Sequence, residues 1–173
     1  MKSTTLSSLC FCFIFFAPLP AFCINLYESV CDETRGDASF CKNILVSDPK
    51  IVSAKNYFDL SKYILEMTIE KAEYSQRYVA SLSNQYPDVL CFRQCANEFY
   101  PQTVSLFHDS LNHLDDDPEI AKNEARNAGI GSTKCENALQ AEQENSPPIH
   151  SLNLQVTLLS LVANLSINHH IHG

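Results

Sequence analysis

The feature that most constrains this chain is a stripe of small and apolar residues recurring at alternating steps of three and four. It comprises Ile51, Ala54, Phe58, Ser61, Leu65, Thr68, Ala72, Ser75, Val79 and Leu82. This spacing places every member on one side of an α-helix, and it predicts a helix about 50 Å long packed lengthwise in a left-handed bundle. Two later segments repeat the pattern: Phe92, Cys95, Phe99, Leu106, Ser110 and Leu114, then Ile149, Leu152, Val156, Leu159, Ala163 and Ser166. Prolines mark helix starts in "DPK" at Asp48, "YPD" at Tyr86, "DPE" at Asp117 and "SPP" at Ser146; in three of them the preceding Asp or Ser can cap. With four helices announced, no strand-like alternation and short connections, the expected fold class is all-α. Its form is an antiparallel up-down-up-down four-helix bundle over residues 48–168.

Residues 24–47 are too few for another pair of full helices and fit a helical hairpin turning near Gly36 and Asp37, while residues 169–173 read as a solvated tail. Two places resist regular helix. Pro101 lies inside the second bundle helix and should kink or split it near Tyr100. Gly129 and Gly131, in "NAGIGSTKC", should loosen the third at roughly 1 kcal/mol each.

The chain opens on "MKSTTLSSLCFCFIFFAPLPAFC", one positive charge ahead of an apolar run too short for the roughly 20 residues of a membrane span. Residues 1–23 therefore read as a secretory signal peptide, cleaved after Cys23 or after Ala21. Without it the balance is 11 basic against 20 acidic residues, a net charge of −9, which argues against nucleic acid or an anionic membrane as partner. Five cysteines lie beyond it: Cys31, Cys41, Cys91, Cys95 and Cys135. In an oxidising compartment Cys31 and Cys41 most simply staple the hairpin, and Cys135 must choose between Cys91 and Cys95.

No catalytic constellation emerges. Glycine-rich phosphate loops, "GxSxG", "HExxH" and paired "CxxC" motifs are missing from the sequence. Asp115, Asp116 and Asp117 are consecutive rather than spaced around an ion, so helix capping is favoured over calcium binding. The "HHIHG" end reads as a solvated terminus before it reads as a metal site, and no cofactor is expected. "NLS" at Asn164 is the one glycosylation sequon. A secreted, disulfide-tied bundle without catalytic residues is most economically a binding module that uses its exposed helix connections.

The chain beyond the leader resembles the plant invertase and pectin methylesterase inhibitor family. The resemblance rests on "VC…FCKNIL" in the hairpin, "CANEFY" in the second bundle helix, a fourth cysteine in the third, and the final "SPPIHSLNLQVTLLSLV". It implies a four-helix bundle with an N-terminal hairpin and disulfides Cys31–Cys41 and Cys95–Cys135, leaving Cys91 over. The implied partner is a plant carbohydrate-active enzyme, and the protein itself is not an enzyme. "DPEIA" and "NAGIGSTKC" are nearer the invertase-directed branch, in which the turn carrying Asp117, Pro118, Glu119 and Ile120 enters the target's cleft. Glu119 stands where that branch has lysine and Ile120 where it has phenylalanine. The expected function is thus inhibition of an acid invertase in the apoplast or vacuole. The alternatives are inhibition of a pectin methylesterase through bundle helix faces, and an allergen-like bundle without an enzyme target.

Overall fold

The computed structural model describes residues 25–173; the leader, with Cys10, Cys12 and Cys23, lies outside the described residues. The chain forms an antiparallel bundle preceded by a helical hairpin, and the described residues contain no strand. The hairpin is α1 (Leu26–Asp32), a 3-10 turn (Arg35–Asp37) and α2 (Ala38–Leu45), closed by the Cys31–Cys41 disulfide with Cα atoms 5.5 Å apart. Val30 and Leu45 are fully buried, so the hairpin docks on the bundle by its apolar side.

The long stripe is divided between two helices. α3 (Pro49–Ser53) starts on the Asp48 cap, which accepts from the Lys50 amide at 2.8 Å, and stops at Ala54. Asn56 then caps α4 (Tyr57–Gln85), accepting from the Asp59 amide at 2.8 Å. The expected single helix is therefore broken at residues 54–56, and the uninterrupted rod of 29 residues is about 44 Å long. From the stripe, Ile51, Ser61, Leu65, Thr68, Ala72, Ser75 and Val79 are buried, joined by Leu60 and Ile64.

Pro87 lies in a turn instead of starting a helix, and the second bundle helix begins at Leu90. This helix consists of α5 (Leu90–Gln94), a π turn (Cys95–Phe99) and α6 (Tyr100–His113). Proline has no amide hydrogen and its ring collides with the carbonyl four residues back, and the wider π turn just ahead accommodates Pro101. The same turn rotates the buried face. Phe92, Cys95, Ser110 and Leu114 are buried as expected, but just beyond the turn Tyr100, Thr103 and Phe107 face the core in place of Phe99 and Leu106, which are half-buried at its edge.

α7 (Pro118–Ala141) runs unbroken through both glycines, so they do not loosen it. They let neighbours approach: a Cβ on Gly129 would lie 2.5 Å from Ser160 Oγ, and one on Gly131 would lie 2.5 Å from the Phe99 carbonyl oxygen. The buried side of α7 carries Ala121, Ala125, Ala128 and Ser132, hence little apolar bulk. Polar groups of the flanking helices hook its carbonyls instead. Thr103 donates to Ala128 at 2.9 Å, Ser110 to Ala121 at 2.8 Å and Ser160 to Ala125 at 2.7 Å. The Cys95–Cys135 disulfide ties it to the π turn, with Cα atoms 5.0 Å apart.

α8 (Pro147–His172) closes the bundle against α4 and α7, burying Ile149, Val156, Leu159, Ala163 and Ser166. The expected tail is its last turn. The His169 ring stacks on Tyr57 with centroids 4.7 Å apart and contacts the Glu33 carboxylate. No helix among the described residues is long and apolar enough to cross a membrane.

Candidate functional site

The connection between α6 and α7 brings Asp117, Pro118, Glu119 and Ile120 together at one end of the bundle. Buried Leu114 anchors it, while Asp115, Asp116 and Asp117 are exposed. The Asp117 amide donates to the His113 carbonyl at 2.8 Å, and Asp117 Oδ1 accepts from the Ile120 amide at 3.2 Å. Pro118 occupies the first helical position with φ already set for helix. Glu119 Oε2 lies 2.6 Å from Lys122 Nζ, so a cation stands beside the carboxylate that departs from the invertase-directed pattern. Ile120 is 45% exposed at the rim. The result is a stiff acidic wedge with one apolar side chain.

At the base of the wedge His113 Nδ1 lies 2.9 Å from Glu124 Oε2. The hydrogen bond with Glu124 raises the His113 pKa above its ordinary value; desolvation opposes this, while the charges of Glu124, Asp109 and Asp117 reinforce it.

A second surface escaped the sequence reading. Ile130, Leu154 and Leu161 are 51%, 46% and 42% exposed along α7 and α8. Between these helices runs a shallow groove of about 410 Å³, lined among others by Arg126, Thr133, Thr157 and Leu161. Its one legible signal is that the sequence from Ser151 to Asn168 contains no charged residue. Near the start of α8 a polar chain crosses three helices. Tyr100 donates to Asn153 at 2.6 Å, Asn153 donates to Glu136 at 3.0 Å, and His150 lies 2.8 Å from Glu136. Burial works to raise the Glu136 pKa, but hydrogen bonds from Asn153, His150 and Gln140 outweigh it and hold the carboxyl below its ordinary range.

The remaining candidates stand apart from both surfaces or are occupied structurally. Asn164 Nδ2 donates to the Lys122 carbonyl at 3.0 Å, bridging α8 to α7. Cys91 is a buried free thiol whose pKa is pushed up to about 11 by burial and then by Glu142, which makes it a poor nucleophile. No three potential metal ligands converge among the described residues. What the arrangement offers is a shaped, charged end and an apolar flank, the equipment of a protein that binds another.

No curated protein shows significant sequence similarity to the chain. Among solved structures, that of mutant form A of a pectin methylesterase inhibitor from Arabidopsis aligns with a TM-score of 0.73 at 18% identity, covering 82% of this chain and 95% of that one. A pectin methylesterase inhibitor from Arabidopsis thaliana aligns with a TM-score of 0.62 at 18% identity, covering 82% and 93%. At these identities the likeness is one of fold. The profile described as "Plant invertase/pectin methylesterase inhibitor" matches residues 25–168, from the first residue before the hairpin almost to the end of α8. Bundle, hairpin, both disulfides and this match converge: the chain belongs to the plant invertase/pectin methylesterase inhibitor family, whose members are inhibitor proteins rather than enzymes.

Proposed function

We propose that this protein is secreted and inhibits a plant acid invertase by inserting the turn from Asp117 to Ile120 into the substrate cleft. The observation that carries this reading is the stiffness of the wedge: a capped helix start, Pro118 at its first position, and Ile120 presented outward. Glycosidase clefts are lined by carboxylates, and the Lys122 ammonium beside Glu119 offsets part of the repulsion that a glutamate would meet there. Asn164 is the proposed glycan acceptor; an attached glycan would take one of the two hydrogens of the nitrogen that donates to Lys122, and the mass of the secreted protein reads its occupancy.

The test is titration of the purified protein against an acid invertase and a pectin methylesterase side by side at mildly acid pH. Glu119→Lys should strengthen inhibition of the invertase, with a gain that shrinks at high salt. If this substitution changes inhibition of neither enzyme while the bundle stays folded, the wedge is only a helix start.

A second reading is favoured by the exposed Ile130, Leu154 and Leu161: a pectin methylesterase docked on the α7–α8 face. Apolar side chains bounded by polar ones are the usual composition of such a face. Ile130→Asp combined with Leu161→Asp separates the two, since it should abolish methylesterase inhibition and leave invertase inhibition intact.

A further inference from the structure

Four of the six histidines bridge different elements through a glutamate. His108 on α6 faces Glu73 on α4 at 3.4 Å, His113 on α6 faces Glu124 on α7 at 2.9 Å, and His150 on α8 faces Glu136 on α7 at 2.8 Å. The fourth, His169 on α8, contacts Glu33 beyond α1. A neutral imidazole makes an ordinary hydrogen bond in such a pair, whereas an imidazolium makes a charge-assisted one.

Only His113 stands at the wedge. It is the last residue of α6, where the partial negative charge of a helix C-terminus favours a cation. Its carbonyl accepts from the Asp117 amide, and its ring reaches across to Glu124 in the second turn of α7. One residue thus holds the turn by its backbone on one side and by its ring on the other. The titratable groups facing that ring are Glu124 from α7, Asp109 from its own helix and Asp117 from the connection, all carboxylates.

Resting on the wedge reading above, we propose that His113 and Glu124 form a pH-responsive clasp that holds the Asp117–Ile120 turn most firmly in mildly acid surroundings and slackens as the pH rises and the ring loses its charge. His113 is a positioning residue in this scheme, acting on the target only through the turn. The sign follows from the surrounding carboxylates. A histidine whose folded pKa lies above the ordinary value of about 6.5 contributes fully below that value, and the contribution is lost as the pH climbs through the folded pKa.

The first arm of the test involves no enzyme. Hydrogen exchange at the Ile120 amide, corrected for intrinsic rates, is compared at about pH 5.5 and about pH 8.5 in the wild type, His113→Gln and Glu124→Gln, with the His113 ring titrated by NMR. Protection in the wild type should fall about threefold between these pH values, and both variants should show a flat profile. A flat wild type, an unchanged pH response in both variants, or a His113 midpoint no higher than that of a free imidazole overturns the clasp. The second arm takes the ratio of wild-type to His113→Gln inhibition of an acid invertase across the same range, which cancels the enzyme's own pH dependence. A ratio that falls toward unity with rising pH supports the whole scheme. A constant ratio alongside altered exchange overturns the wedge reading and leaves the clasp standing.

Discussion

Replacing Gly131 by alanine tests whether the glycines of α7 weaken a helix or permit a contact, because the two accounts predict opposite signs. Intrinsic helix propensity favours the alanine by about 1 kcal/mol. Against that, the added Cβ would lie 2.5 Å from the Phe99 carbonyl oxygen and 3.2 Å from its carbon, and would press on Thr103 Oγ1. Thr103 could turn aside only by giving up its bond to Ala128. The Phe99 carbonyl belongs to the π turn and moves only if α6 moves with it. Overpacking typically costs about 1–3 kcal/mol, and the upper part of that range applies where the obstacle is backbone. The expected net loss is about 1–2 kcal/mol, or roughly 2–8 °C in Tm for a domain of this size. Thermal and urea unfolding followed by far-ultraviolet circular dichroism, with both disulfides intact, measures it. Gly36→Ala is the control: nothing lies within 4 Å of its Cβ position, so its effect should be neutral or slightly stabilising. A Gly131→Ala protein that melts at or above the wild-type temperature would refute the account in which close approach of α6 and α7 requires glycine.

Cys95→Ser should lose about 4 kcal/mol on the loop-entropy estimate for a closure of 40 residues, whereas Cys91→Ser, which breaks no covalent link, should cost far less; denaturant midpoints rank the two. Asn153→Ala strands the buried Tyr100 hydroxyl and removes a donor from Glu136, for a loss of about 2–3 kcal/mol in urea unfolding. The Glu136 carboxyl is held below its ordinary value, so its stabilising contribution is present above about pH 4.5 and disappears as the pH falls through the folded pKa. Stability measured from neutral pH downward should accordingly decline less steeply in Glu136→Gln than in the wild type, and equal slopes would contradict the assignment.

The sequence revealed the bundle because its helices carry stripes at steps of three and four and two of them, α7 and α8, start with proline directly after an Asp or Ser. What it concealed has local physical causes. The break at residues 54–56 leaves Ile51 and most later members of the stripe buried in the core, so spacing alone could not register it. The π turn moved the buried face from Phe99 and Leu106 to Tyr100, Thr103 and Phe107, which only a count of the extra residue could have foretold. Gly131 looked like a weakness because its neighbour Phe99 is remote in sequence, and His169 looked like a tail because Tyr57 and Glu33 are remoter still. The capped helix start at Pro118 was legible from "DPE" alone, since a cap followed by proline is a local signal. The apolar flank of α7 and α8 was not, since one-dimensional periodicity cannot separate an exposed leucine from the edge of a core.

The π turn makes the second bundle helix two rods set out of phase. Upstream of residue 95 one set of positions meets the core, and downstream another does, with the offset fixed by a single residue's worth of extra chain. Deleting any one residue between 95 and 99 would restore an even pitch, turn Tyr100 and Phe107 toward water, and bring the Pro101 ring against a carbonyl. Substitutions in the same stretch would leave the phase alone. Segment 95–99 should therefore tolerate changes of identity at its exposed positions Asn97 and Glu98 far better than any change of length, and variants of this protein can be sorted by that distinction before any of them is made.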